Sequence, residues 1–474
     1  MSDSATVRHM PDAAAVAELR GDVTGAVLIP GDTDYDRGRF TWNVAVDQQP
    51  ALVVMAAEAG DVAAAVRFAA HQGLDVAVQG TGHGVIHPAD GALLINTVNM
   101  AGVYIDPAAR APRINAGTKW GQVLVEAQAH GLAPLLGSSP TVGAIGYTLG
   151  GGLGWLGRKY GLACDSALSF EVVTADGEIR VASAEEHVDL FWGLRGGGGS
   201  LAAVTAMTVR LFPVETVYGG VLVYPAEAAA EVLSRWRDWI AGLPDEMTSA
   251  VKIINVPDLD VAPPPLRGKT VTILEGCYCG PLDEGAALVQ TWRDWQAPLI
   301  DLFGPMPFSQ VAQISQDPAD PMPSFVTSAW LREVTDGAAA IIARYATLQA
   351  GPAPLVFIEV RHAGGAIGRA DPALSAFGHR DAELLLQAVG IAATPEMGSA
   401  LADYTGRLKA ELHPWLAGTV YMNFLEGAES VARVRDGFPA AKFARLAALK
   451  AKYDPANRFN RAMAIPRNGH SGQD

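Results

Sequence analysis

The sequence predicts an α+β protein built in two parts, on three observations. A strand–helix–strand unit (Ala51-Leu52-Val53-Val54, a helix over 61–70, Val76-Ala77-Val78) runs into a turn where every second residue is glycine, Gly80-Thr81-Gly82-His83-Gly84. Two more glycine-rich blocks follow at 137–154 and 195–199. After Pro213 the texture shifts to strands alternating with long helices: 220–224 then 226–240, 270–274 then 284–295, and a strong strand at 355–361. That second pattern is expected of an antiparallel sheet with helices on one face.

Taken in order, residues 8–21 read as a short helix with Val16 and Leu19 inward, leading to a strand at 27–29. Residues 35–43 are rich in aromatics and arginine. Asp61 stands where an N-cap belongs, before Val62 and Val66. Short strands are expected at 92–96, 103–106 and 113–117, then a helix over 120–130. The 137–154 block is no dinucleotide fingerprint, because no strand runs into its glycines and no acidic residue ends a following strand at the right distance. It reads instead as extended backbone lying flat against a large planar ligand. Strands follow at 169–174, 178–181 and 204–211, loops at 257–266 and 317–324, and a helix over 440–452.

At 474 residues, with 18% charged, the chain is long and apolar enough for a sizeable core. A net charge of −15 argues against nucleic acid, and there is no basic run. No apolar stretch reaches the ~18 residues of a membrane span, and none has signal-peptide character. The three cysteines, Cys164, Cys277 and Cys279, suggest reduced packing thiols and a cytoplasmic protein. The histidines lack metal-ligand spacing, so no metal is expected. The sequence leaves a homodimer open.

In the first glycine turn, backbone amides form a nest suited to a pyrophosphate, and His83 sits at its centre. Its ring is placed either to bond covalently to a cofactor held there or to hydrogen-bond its own turn.

Five blocks in order decide what the chain resembles: Gly80–Gly84, Ser139-Pro140-Thr141-Val142-Gly143, Gly150-Gly151-Gly152-Leu153-Gly154, residues 189–199, and Tyr453-Asp454-Pro455-Ala456-Asn457-Arg458-Phe459. Together they resemble the FAD-linked oxidases of the vanillyl-alcohol-oxidase superfamily, within it the berberine-bridge-enzyme-like family. The resemblance implies a two-part FAD-binding domain of the PCMH type, 1–213 and 425–474, with a substrate-binding domain at 214–424 between them. It implies covalent FAD on His83, held by Gly80, Thr81, Gly82, Gly84, Ser139, Pro140, Thr141, Val142, Gly143, Gly146, Gly150, Gly151, Gly152, Val204 and Asn457. Many relatives carry a second flavin link from a cysteine where Ser139 stands, so a single link is expected here. Gln79 and Ser200-Leu201-Ala202 also depart from the family pattern.

Residues 419–424 alternate as a strand with Thr419, Tyr421 and Asn423 on one face, and the Tyr-X-Asn pattern resembles the family's catalytic strand. Tyr421 is thus the expected base, aided by Tyr147, which packing on flavin or substrate would explain as well. Asn423 and Glu359 are expected at the substrate, though Glu359 and Arg361 also fit a solvated sheet face. Val142 occupies the position that the resemblance links to O2 access. The expected reaction is hydride transfer from an alcohol or hemiacetal carbon of a sugar or sugar-bearing metabolite to FAD, with O2 giving H2O2. Amine or N-heterocycle oxidation, non-redox cyclisation or flavin binding without turnover are the alternatives.

Overall fold

A computed structural model describes residues 10–260, 264–347, 355–463 and 465–466. Residues 8 and 9 of the expected first helix, and 261–263 of the proline-rich loop, lie outside these. The described residues form an α+β fold with three sheets. The first orders Ala26–Leu28, Leu52–Met55, Leu93–Asn96 and Val76–Gln79, its last three strands parallel, as strand–helix–strand units dictate. The second orders Val103–Asp106, Ala111–Asn115, Ala203–Val209, Ala167–Val173 and Ile179–Ser183.

The third sheet is antiparallel and eight-stranded. Its path is Ile300–Asp301, Thr216–Pro225, Thr270–Tyr278, Met247–Asn255, Leu355–His362, Leu384–Ile391 and Ser324–Leu331, with Gly304–Pro307 also on Thr216–Pro225. Period-two alternation decides its faces. Leu222, Leu274, Val251, Ile358 and Leu386 pack under the helices Ala229–Ile240, Leu282–Trp295, Asp336–Ala346 and Pro395–Glu411, around Trp236 and Trp292. The intervening residues of the same strands face the other way and line the functional cavity.

Helix Ala440–Tyr453 returns the chain to the first core, where Phe443, Leu446 and Leu449 join Leu190, Trp192 and Leu194. The Tyr453–Phe459 turn is held there by a buried ion pair. Lys450 Nζ donates to Asp454 at 2.6 Å, to the Ser200 carbonyl at 2.8 Å and to the Phe459 carbonyl at 3.1 Å. Both side chains are within 1% of full burial. Lys450→Met strands the Asp454 carboxylate in the core, so a loss of about 3–5 kcal/mol is expected, read from the urea midpoint.

Four sequence expectations are corrected. Asp61 is not a cap: the helix Ala59–Gln72 starts after Glu58, and buried Asp61 accepts from the amides of Thr24, Gly25 and Ala57. The 137–154 block is not extended throughout, since Ala144–Leu149 is helical. Residues 419–424 form no strand; Met422–Phe424 is a 3-10 turn. Strands Met247–Asn255, Ser324–Leu331 and Leu384–Ile391 were not expected. No described helix is long and apolar enough to cross a membrane.

Candidate active site

A cavity of about 1290 Å3 runs from the glycine turns to the open face of the eight-stranded sheet. That exceeds the ~300–1,000 Å3 of an ordinary small-ligand pocket, and leaves room for a dinucleotide with a substrate beside it. Its cofactor-side wall is made by the Gly80–Gly84 turn, Ser138, Ser139, Val142, Gly143, Ile145–Tyr147, Leu149, Gly150, Gly198, Gly199 and Val204. Two glycines, one on this wall and one packed behind it against Tyr147, show why side chains are excluded here. Gly82 has φ +73°, and a Cβ there would stand 2.7 Å from Thr41 Cα. Gly152 has φ +85°, and its Cβ would meet the Tyr147 ring at 2.5 Å.

His83 lies on this wall. One ring nitrogen, Nδ1, is 2.9 Å from Thr81 Oγ1, and Nε2 is 3.1 Å from Thr141 Oγ1. Thr141 Oγ1 in turn lies 2.9 Å from Ser139 Oγ. The Trp42 indole stacks on the imidazole, centroids 4.3 Å apart and planes 13° from parallel. Burial, then the charge of Lys119, pushes the His83 pKa down to about 4, so the ring is neutral at physiological pH. A neutral imidazole, one ring nitrogen donating to a threonine hydroxyl and the other accepting from one, in a nest of small residues, fits the neighbourhood of a flavin dinucleotide. Trp42 is itself pinned: its amide donates to the Thr81 carbonyl at 3.1 Å, and its indole N–H to the Ala319 carbonyl at 3.2 Å.

The two tyrosines are placed differently. Tyr147 lines the cavity, and its buried hydroxyl has no hydrogen-bond partner among the described residues. Burial drives its pKa well above the ordinary phenol value, and the nearby positive charge of Arg361 opposes this. Tyr421 does not line the cavity. Its ring is 2% exposed among Leu153, Phe377 and Trp330, and its oxygen accepts from Gly152 N at 3.0 Å, Leu153 N at 3.1 Å and Asn423 Nδ2 at 3.1 Å. Burial pushes it up to about 12 despite those donors. The turn at 422–424 brings Asn423 and Phe424, rather than Tyr421, to the cavity surface. Asn423 also donates to the Tyr147 carbonyl at 3.0 Å.

Opposite stand two polar rows on an otherwise aliphatic sheet face. Register aligns Lys252, Glu359 and Gln387 in one row, and Glu275 and Arg361 in the next. Lys252 Nζ donates to Glu275 Oε1 at 2.6 Å, and Arg361 Nε to Glu359 Oε2 at 2.6 Å. Burial opposes the charge on Lys252, but Glu275 and Glu359 outweigh it and hold its pKa up. Burial raises the Glu275 carboxyl against the pull of Lys252. At Glu359 burial is outweighed by Arg361 and Lys252, and its pKa is lowered. Glu359 is fully buried, so the solvated-face reading is corrected: it lies under the cavity wall and props Arg361, which reaches the cavity.

Of the residues expected at the cofactor, His83, Gly80, Thr81, Gly82, Gly84, Ser139, Val142, Gly143, Gly146, Gly150 and Val204 line the cavity. Pro140, Thr141, Gly151, Gly152 and Asn457 do not; Thr141 acts through His83, and Asn457 serves a left-handed turn at φ +56°. Sequence reasoning missed Trp42, Lys252, Glu275 and Gln387. The signal for the last three was a charged or amide residue interrupting a β-branched strand, as in Val271-Thr272-Ile273-Leu274-Glu275.

Residues 50–183 match the FAD binding domain family, and residues 420–466 the berberine and berberine-like family. The (R)-6-hydroxynicotine oxidase of Paenarthrobacter nicotinovorans is 29% identical, over 94% of this chain and 98% of its own length. The crystal structure of 6-hydroxy-D-nicotine oxidase from Arthrobacter nicotinovorans superposes with TM-score 0.82 at 26% identity, covering 94% of this chain and 98% of that one. Xylooligosaccharide oxidase from Myceliophthora thermophila shares the fold, with TM-score 0.82 at 20% identity over 97% of this chain and all of the other. The glycine-walled cavity therefore sits in a chain that carries an FAD binding domain and a berberine-like segment, and whose homologues are FAD-linked oxidoreductases of the vanillyl-alcohol-oxidase and berberine-bridge-enzyme-like kind.

Proposed function

We propose that the protein carries FAD covalently on His83 and oxidises a carbon bearing an amino or hydroxyl group in a small, ring-containing substrate, with O2 as final acceptor. The observation that supports it most is the continuity of one cavity from neutral His83 and the glycine walls to the polar rows of the sheet. Bound FAD supplies the hydride acceptor. The chain supplies binding, exclusion of water and a proton acceptor.

Val221, Val223, Ile254, Val271, Ile273 and Val389 line the substrate half. A sugar needs a hydrogen-bonding partner for each buried hydroxyl; Lys252, Glu275, Arg361 and Gln387 interrupt this aliphatic wall and are the partners it offers. The nicotine-oxidising relatives, with the largely aliphatic residues between those groups, favour an amine or N-heterocycle over a sugar. Tyr147 lines the cavity, its hydroxyl buried just behind the surface and unpartnered among the described residues, and is assigned the proton transfer. Tyr421 is a second reading for that role, supported by the three donors that converge on its oxygen. Anaerobic addition of amines, alcohols and sugars tests the proposal. The flavin absorbance is expected to bleach with a cyclic amine and recover in air with release of peroxide. Bleaching with sugars alone revises the substrate, and no bleaching with any class removes the oxidase reading.

Trp42 is expected to hold the His83 ring in the attachment geometry. In Trp42→Ala the fraction of flavin that stays with acid-precipitated protein should fall several-fold, and Trp42→Phe should restore most of it.

A further inference from the structure

Arg361 presents a guanidinium whose capacity is mostly unused. Nε is committed to Glu359, and no other hydrogen bond from this group occurs among the described residues. The side chain is only 13% exposed, lines the cavity, and lies 5.1 Å from the centroid of the Phe424 ring. The two Nη groups are thus left as a fork of donors inside a largely aliphatic chamber. Their neighbours do not consume them. Lys252 takes Glu275 Oε1, while Glu275 Oε2 stays unpartnered. Asp317 lines the same cavity and acts on Arg361 through its charge, without a hydrogen bond to it.

Donors that face a ligand cavity without protein acceptors are open to a ligand's oxygens, and a guanidinium fork matches the two oxygens of a carboxylate in parallel. We propose that Arg361 anchors a carboxylate carried on the apolar ring of the substrate, with Glu359 holding the fork in plane from beneath. The proposal rests on reading this cavity as the substrate site and narrows its substrate class to ring compounds bearing an acidic group. Amine-only and neutral ligands of the same shape leave the fork unfilled.

Benzoate, benzylamine and benzyl alcohol share a ring and differ in the head group. Titrated calorimetrically into the purified protein with its flavin spectrum recorded, benzoate is expected to bind at least tenfold tighter than the other two. Arg361→Lys keeps the charge beside Glu359 but loses the fork, and should weaken benzoate at least tenfold while leaving the alcohol within threefold. A smaller preference for benzoate, or a benzoate affinity that survives Arg361→Lys, overturns the assignment. Should that variant not fold, the wild-type comparison decides alone. Colourless protein that still prefers benzoate would sink the flavin reading and leave the carboxylate site standing, so the two failures are separable.

Discussion

His83→Ala is expected to yield protein from which acid extracts all the flavin, where the wild type keeps its colour in the precipitate. The turn survives the substitution, because Trp42 N–Thr81 O and Asn43 N–Gly82 O hold its backbone independently of the imidazole. FAD therefore still binds through the glycine walls, and what is lost is the bond. A covalent histidyl link makes a flavin a stronger oxidant, so substrate bleaching should slow by about tenfold or more, a barrier increase of about 1.4 kcal/mol. The pH dependence of attachment follows from the same group. Attachment requires the neutral ring, and burial lowers the His83 pKa from 6.5 to about 4. The ring thus stays neutral as pH falls through 6.5, and the reactive fraction is lost only near pH 4. Apoprotein incubated with FAD should acquire acid-stable flavin at one rate from pH 8 to about 5.5. A rate that halves at pH 6.5 would mean an exposed, ordinary histidine.

The second large effect is expected at the cavity phenol. Tyr147→Phe removes the buried, unpartnered hydroxyl of the tyrosine that lines the cavity among the described residues, and anaerobic bleaching should slow about 10^2-fold or more, the range of a lost acid–base group. Gly137 and Gly152 pack against its ring, which the phenylalanine retains, so binding is expected to change little. Tyr421→Phe should cost less than tenfold. Its hydroxyl is engaged behind the wall, and its loss disturbs Gly152, Leu153 and Asn423 rather than the reacting atoms. The reverse ranking returns the base to Tyr421.

The cofactor half of this site was legible in the sequence because backbone conformation dictates it. Positive φ and close approach at Gly82 and Gly152 demand glycine, and such demands leave a pattern in a single chain. The substrate half was not legible. Lys252, Glu275, Arg361 and Gln387 come from four strands, and only the strand register brings them together. Trp42 was equally hidden, since its partner His83 lies 41 residues on, across a loop crossing. The alternation at 419–424 misled for a local reason. Gly418, at φ +80°, and the 3-10 turn that follows bend the chain, so Asn423 returns beside Tyr421 instead of two strand residues beyond it.

One bond carries the account, and mass spectrometry reads it directly. Trypsin cuts after Arg67 and Arg110, so His83 falls in the peptide 68–110. That peptide is predicted to be heavier by one FAD, with fragmentation placing the addition on His83. An unmodified 68–110 peptide from yellow, fully loaded protein would contradict it.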